Sequence, residues 1–438
     1  MLHRTNIIKC SIIDHMQKPL VTILGKTVKK VASLRGGGSA LPGLVVEHVY
    51  PDFIQNTLAD LPFGVVVISG TNGKTTTTKM VVELLESQGL KVFTNRTGSN
   101  FTRGVAAALL GEIDIKGNLH ADIAVLELDE AHAVHFVDKI PPKYCLILNV
   151  MRDQLDRFGE IDHTTNLLRH VANATTKAVV LNREDKRIAS IAKSLTDKKV
   201  SFFGLDESLL SLFPSDDNLH NHSSKVNTQK NANVILSKFS DDSATFLIDG
   251  KEITTRLKLN GIYNVFNVAA ALSLVRVIIG KNIDQTKLIN ALSKITPAFG
   301  RGEILKVNNR PLELVLVKNP SGFQLGLKSF DPTNFATMIT INDNYADGRD
   351  MSWLWDVDFT SLSKKGVDQV SGIRAYDMSL RLQYNEVPIE HIDMNIKSAL
   401  KKFISSTADQ PMRIYCTYTA MITIRKTLSK ITHVEVIK

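Results

Sequence analysis

An α/β architecture organised around a mostly parallel sheet is the fold this sequence predicts, on three observations. A continuous apolar run, Val65 to Ile68, leads into Ser-Gly-Thr-Asn-Gly-Lys-Thr-Thr-Thr-Thr at Ser69–Thr78 and then into a helical stretch from Lys79 to Leu90. Between Val65 and about Gly204, short apolar runs alternate with further helical stretches. Strands separated by helices in this rhythm form a parallel sheet covered on both faces, with ligands at the carboxyl ends of the strands. The chain is also long: 438 residues exceed what one core accommodates, so two or three domains are expected.

The segment over 1–53 reads as a helix, a turn at Gly36–Gly38 and a second short helix. A central domain is expected over 54–300, with strands at Val65–Ser69, Lys91–Thr94, Ile123–Leu128, Tyr144–Asn149, Ala178–Asn182 and Val200–Phe203. Ser215–Asn233 is polar and lacks aromatic residues, which marks a loop or insertion. Val234–Leu259 reads as antiparallel strands with Asp249-Gly250 as a hairpin turn, and a helix begins after Gly261. A C-terminal α/β domain is expected over 301–438, with strands at Glu313–Val317, Ala336–Ile341 and Arg413–Thr417.

Composition narrows the function class. Three scattered cysteines (Cys10, Cys145, Cys416) offer neither a disulfide framework nor a zinc site, so a reducing cytoplasm and no structural zinc are expected. The start of the chain lacks the apolar core of a signal peptide, and no stretch reads as long enough to cross a bilayer. A net charge of +9 is modest for this length and suits a solvated basic surface. The basic stretch Lys26–Arg35 alternates with apolar residues, as an amphipathic helix lying on a surface would. No aromatic-interleaved basic motif argues for nucleic acid.

The chemistry begins at the glycine-rich loop. Gly70 and Gly73 let backbone amides, including those of Thr71 and Asn72, approach a polyphosphate. Lys74 would neutralise its oxygens, Thr75 would hold Mg²⁺, and Thr76 continues the row of hydroxyls. The spacing is the short G-T-N-G-K-T, since Ile68 stands where a longer loop has its first glycine. ATP and Mg²⁺ are therefore the expected ligands. Glu127, Asp129 and Glu130 crowd the end of the third strand, where three carboxylates beside a phosphate loop call for a hard cation. His132 and His135 are spaced like a metal pair but lack a third ligand, so ordinary surface or core histidines are the better reading. Asn264 and Asn267 open the helix after Gly261, either as caps or as amides that read a nucleoside.

These pieces resemble the Mur ligases, the ATP-dependent amide-forming enzymes of peptidoglycan synthesis, and their relative folylpolyglutamate synthase. The shared items are the phosphate loop, the strand-end glutamate, the Asn149–Gly159 segment, the Gly261–Ala271 helix start and the Gly300-Arg301-Gly302-Glu303 turn. The resemblance implies a Mur-ligase-type ATP-binding domain over 54–300, with Glu127 on Mg²⁺, Asn264 and Asn267 by the adenine, and Arg301 near the phosphates.

The sequence is similar above all to the MurT family, the Mur-ligase-like subunits of lipid II isoglutaminyl synthases. Arg152–Asp162, Lys318-Asn319-Pro320-Ser321-Gly322 and especially Asn342–Trp353 carry that likeness. Gln154 replaces the histidine usual in ordinary Mur ligases, and Arg169 stands about where they have a carbamoylated lysine. Unlike MurT proteins with a four-cysteine zinc ribbon, this chain has no cysteine in Ser215–Asn233. The likeness implies ATP-dependent amidation of D-glutamate in lipid II at the cytoplasmic membrane face, with ammonia from a GatD-type glutaminase subunit in a heterodimer. Asp350 would supply the acid that orients the glutaminase histidine. The alternatives are a standalone Mur or folylpolyglutamate-type amino acid ligase, and a non-catalytic nucleotide-binding scaffold.

Overall fold

The computed structural model describes residues 18–32, 41–95, 101–151, 161–213, 231–240, 242–259, 261–296, 301–329, 333–407 and 410–434. Three helices lead in: α1 over 18–32, α2 at Leu41–Val49 and α3 at Phe53–Leu58. The first sheet then takes strands β1 (Gly64–Ser69), β2 (Val92–Thr94), β3 (Ile123–Glu127), β4 (Tyr144–Ile147), β5 (Ala178–Asn182), β6 (Lys199–Leu205), β7 (Val234–Phe239), β8 (Ser243–Ile248) and β9 (Lys251–Arg256). Their spatial order is β2-β3-β1-β4-β5-β6-β7-β8-β9. Pairing is parallel from β2 to β7, and β7, β8 and β9 then run antiparallel to one another. The β8–β9 hairpin turns at Asp249 and Gly250, both at positive φ (47° and 82°), as the Asp-Gly pair predicts.

Helices cover both faces because the central strands are apolar on both sides; β1, β3 and β5 are buried at every position. One core packs the sheet against α4 (Lys74–Ser87) and the long helix α9 (Ile262–Ile279), through Met80, Leu84, Val268 and Leu272 among others. The opposite core uses α3, α5 (Thr102–Glu112), α6 (Glu130–Lys139) and α7 (Ile161–Ala174). Helices α8 (Lys186–Ile191) and α10 (Gln285–Leu292) complete this part.

One expectation changes here. The stretch Ile262–Asn282 is long and apolar enough to cross a membrane, with mean hydropathy 1.8, but it is mostly buried as the central helix of the first core. The sequence reading missed it because Asn264, Asn267 and Arg276 interrupt the apolar run. The expected helix in the basic stretch is present as α1; Lys26 Nζ donates to the Ile113 carbonyl at 2.8 Å and Lys29 Nζ to that of Ala107 at 3.2 Å, while Lys30 and the apolar Leu20, Ile23, Leu24 and Val31 are exposed. Residues 33–35 and most of the 215–233 insertion lie outside the described residues.

The second sheet has strands β10 (Arg301–Val307), β11 (Arg310–Leu316), β12 (Ala336–Thr340), β13 (Val367–Ser371), β14 (Ile389–Asp393) and β15 (Met412–Cys416), in the order β10-β11-β15-β12-β13-β14. Only the β10–β11 hairpin is antiparallel. Helices α11 (Pro320–Ser329) and α12 (Ala375–Tyr384) pack on one face, α13 (Ile396–Ser406) and α14 (Tyr418–Leu428) on the other.

Candidate active site

β1 delivers its chain into the glycine-rich loop, and the two glycines occupy positions no side chain could share. Gly70 has φ +132° and an added Cβ would lie 2.9 Å from the Asn149 carbonyl oxygen; Gly73 has φ +86° and a Cβ there would meet Asn267 Oδ1 at 2.8 Å. The loop is clamped to the end of β4. Thr71 N–H donates to the Asn149 carbonyl at 3.0 Å, Asn72 N–H to Asn149 Oδ1 at 2.9 Å, and Asn149 Nδ2 returns a bond to the Asn72 carbonyl at 3.0 Å. Asn149 therefore holds both backbone groups of Asn72.

Lys74, at the first turn of α4, donates to the Gly70 carbonyl and lies 3.3 Å from Glu130 Oε2. Thr75 Oγ1 donates to Glu127 Oε1 at 2.8 Å, and Asn95 fixes the backbone of Glu127 through bonds of 2.8 and 3.0 Å. The hydroxyls of Thr76, Thr77 and Thr78 and Asp129 Oδ1 are buried without a hydrogen-bond partner among the described residues. The crowding of acids at this strand end is thus eased in part by Lys74 rather than by a metal alone. Among the described residues no three His, Cys, Asp or Glu side chains converge as a metal site. The oxygens of Thr75 and Glu127 fit one face of a Mg²⁺ whose other ligands are phosphate oxygens and water. His132 packs edge-on against Phe101, with ring centroids 4.1 Å apart.

Beside the loop a cleft opens between the ends of β4 and β5 and the start of α9, lined by Asn149, Val150, Asp185, Tyr263, Phe266 and Asn267. Asn264 sits in the first turn of α9, and Asn267 covers Gly73 one turn later. An apolar, aromatic wall beside a phosphate loop suits a stacked base. Asp185 was missed by sequence reasoning. Its carboxylate accepts from the N–H groups of Val150, Arg187 and Ile188, and burial pushes it up to about 6. Arg152, Asp153, Gln154, Asp156 and Arg157 lie outside the described residues, as does the side chain of Arg301. Arg169 bonds Asn166 on its own helix, and a guanidinium offers no amine to carbamoylate.

A second constellation stands at the end of β12. Asp347 is buried, and its carboxylate accepts from the Thr419 N–H at 2.7 Å and the Thr419 hydroxyl at 2.5 Å. Asn342 and Asn344 both donate to the same Thr419 hydroxyl, and Asp343 pairs with Arg374 at 2.7 Å. This network leaves Asp350 at the rim. Its carboxylate accepts from Ser352, which holds it below the usual carboxylate range. Trp355 and Tyr384 are exposed nearby, with Tyr345, and their rings lie 5.7 Å apart. Arg381 packs beneath them, donating to the carbonyls of Leu354 and Val357.

Both constellations fall within stretches that match known families. A Mur ligase middle domain model matches residues 68–275, and a MurT ligase C-terminal model matches 316–421, which includes the Asp350 loop. The chain belongs to the MurT family of Mur-type ligases. A relative from Streptococcus pneumoniae, lipid II isoglutaminyl synthase (glutamine-hydrolyzing) subunit MurT, is 29% identical over 95% of this chain and 98% of its own length. The Staphylococcus aureus (strain COL) protein of the same name is 28% identical over 84% and 87%. Among solved structures, Acinetobacter baumannii MurF superposes with a TM-score of 0.67 at 16% identity, covering 89% of this chain and 80% of that one. Mycobacterium tuberculosis folylpolyglutamate synthase complexed with ADP gives 0.63 at 15% identity, over 86% and 92%. These structures share the Mur ligase fold. As a MurT family member the chain is an enzyme, a ligase.

Proposed function

We propose that this chain is the ATP-using subunit of a glutamine-dependent ligase that amidates the α-carboxylate of D-glutamate in the lipid II stem peptide, with a GatD-type glutaminase as its partner. The supporting observation is the presence, on one chain, of an intact phosphate loop and a separate carboxylate, Asp350, held ionised at an open rim. A carboxylate oxygen of the substrate attacks the γ-phosphorus of ATP, giving an acyl phosphate and ADP. Ammonia then attacks the carbonyl carbon, the C–O bond to phosphate breaks, and the amide and inorganic phosphate leave.

Gly70–Thr76 would cradle the phosphates, with Lys74 leaving Glu130 to meet the oxygens that gain charge. Thr75 and Glu127 would hold Mg²⁺, which neutralises the β- and γ-phosphate oxygens when bound. Asn264, Asn267 and the aromatic cleft would take the nucleoside, and Arg301 would approach the phosphates. Asp350 would accept a hydrogen bond from a histidine of the glutaminase, fixing its tautomer and stabilising its protonated form. The exposed Trp355, Tyr376, Leu380 and Tyr384 around that rim give the partner an apolar, aromatic surface to bury.

Reconstitution tests this reading. The chain and its glutaminase subunit, given lipid II, ATP and glutamine, should form D-isoglutamine and ADP. Amino acid addition by the chain alone, with no amidation by the pair, would replace it with the standalone ligase.

A further inference from the structure

One helix touches both constellations. Asn319, buried just before α11, exchanges amide hydrogen bonds with Asn72 of the phosphate loop: Asn319 Nδ2 donates to Asn72 Oδ1 at 3.1 Å, and Asn72 Nδ2 to Asn319 Oδ1 at 3.4 Å. Asn319 Oδ1 also accepts the Gly322 N–H at 2.7 Å, which locks the amide to the first turn of α11. Farther along, Phe323 lies 6.4 Å from the Trp353 ring and 5.0 Å from that of Phe359. Gln324 bonds both backbone groups of Asp358, at 2.8 and 3.4 Å. Trp353 belongs to the short turn Ser352–Asp356, whose first N–H holds the Asp350 carboxylate at 2.9 Å. The helix thus grips the phosphate loop at one end and braces the Asp350 turn along its side.

We propose that α11 couples the two sites, with Asn319 as the positioning residue, so that nucleotide on the phosphate loop sets the order of the Asp350 turn and thereby licenses glutamine hydrolysis. The inference rests on reading the loop as an ATP site. As it stands, donors of the loop are already engaged by protein groups: Asn72 N–H goes to Asn149 Oδ1 and Lys74 Nζ to the Gly70 carbonyl. Phosphate needs those donors, so the loop must re-pair when nucleotide enters, and Asn72 stands at the centre of the change. Asn319 is buried and Asn72 half-buried, so loss of the pairing strips the enclosed Asn319 amide of a partner, which is costly and favours one arrangement or the other. That two-state character lets a small shift at the loop bias a rigid helix, and couplings of this kind are typically roughly 5- to 150-fold in binding.

The experiment uses the full chain and a non-hydrolysable ATP analogue with Mg²⁺. Amide hydrogen exchange over residues 343–358 should slow several-fold in the wild type when the analogue binds. In Asn319→Ala that response should vanish, while analogue affinity by calorimetry stays within a few-fold. Gln324→Ala should uncouple the far end in the same way, and Asn319→Asp serves if the alanine variant does not fold. In the complex with the glutaminase subunit, the analogue should stimulate glutamine hydrolysis in the wild type, and the variants should lose the stimulation but keep the basal rate. A wild type that binds analogue without any response at 343–358, or variants that respond like the wild type, would overturn the coupling. Absence of analogue binding to the wild type would instead defeat the ATP reading, and the coupling with it.

Discussion

Lys74 Nζ lies 3.3 Å from Glu130 Oε2, and both side chains are almost fully enclosed. The lysine is therefore held in place by a carboxylate it must leave to meet a phosphate. Lys74→Ala removes the charge proposed to meet the β- and γ-phosphates while β1 and the loop glycines stay as they are. ATP-dependent turnover should fall at least about 100-fold. A melting curve close to that of the wild type would show that the fold survives, whereas wild-type turnover in the variant would exclude the phosphate role.

Gly73→Ala should harm both stability and nucleotide binding. The residue sits at φ +86°, and a methyl group there meets the Asn267 amide at 2.8 Å. The conformational strain alone costs about 1–2 kcal/mol, before any clash is counted. Chemical denaturation and calorimetric titration with ADP check the two effects separately, and unchanged ADP affinity would argue that the loop does not cradle phosphate.

Asp350→Asn keeps the shape of the rim and removes its charge. Glutamine-dependent amidation should collapse, while assembly with the glutaminase and ATP binding persist. Free ammonia at high pH should restore amidation, because only the source of ammonia has been lost. Near-normal glutamine-dependent turnover, or failure of ammonia to rescue, would remove Asp350 from the proposed role.

Asp185 gives a pH signature. Burial raises its carboxyl from 3.8 to about 6, so its contribution to stability is fully present below about pH 4 and is lost as pH rises through 6. Asp185→Asn does not titrate and keeps one acceptor oxygen for the Arg187 and Ile188 N–H groups, at the loss of the bond from Val150 at every pH. Relative to the wild type, the variant should gain on the order of 1–3 kcal/mol between pH 4 and pH 7, the range allowing for the residue's partial opening to the cleft. Denaturation midpoints of both proteins across that range test it, and parallel curves would show that the carboxyl titrates normally.

The protein should hold no stoichiometric zinc, since Cys145 and Cys416 are buried, with thiols that burial pushes well above their ordinary range. Elemental analysis decides the matter, and one tightly held zinc per chain would contradict it.

The first sheet was legible because its strands are apolar runs buried on both faces, such as Val65–Ile68 and Ile123–Leu126. β13 and β14 were not. Their sequences, Val-Asp-Gln-Val-Ser and Ile-Glu-His-Ile-Asp, mix polar residues into the strand, and Gln369 is buried there by bonding the carbonyls of Val370 and His391. β14 lies at the sheet edge, where alternate positions face solvent. At the candidate site, the glycine-lysine-threonine spacing pointed to the loop that follows β1, whose two glycines stand at positive φ. The Asn72–Asn319 pair joins residues far apart in the chain and follows no local pattern, so only the packed structure brings it into view. Asp185 escaped for a different reason: helix capping makes an aspartate at that position unremarkable in sequence, and its enclosure depends on Val150 from a neighbouring strand end.

In the second sheet, β15 is the last strand in the sequence but sits in the middle, between β11 and β12. The residues just beyond it, Thr417 and Thr419, hold Asn342 and Asp347 of the Asp350 loop. During synthesis, β11 and β12 emerge with no neighbour to join them, each exposing an open edge until the final stretch of chain arrives. A polypeptide cut short before Met412 would be left with a divided sheet and a loop without its Thr417 and Thr419 partners. The rim is thus completed only after β15 and the start of α14 have joined the sheet, so chains lacking them would not present it in this form.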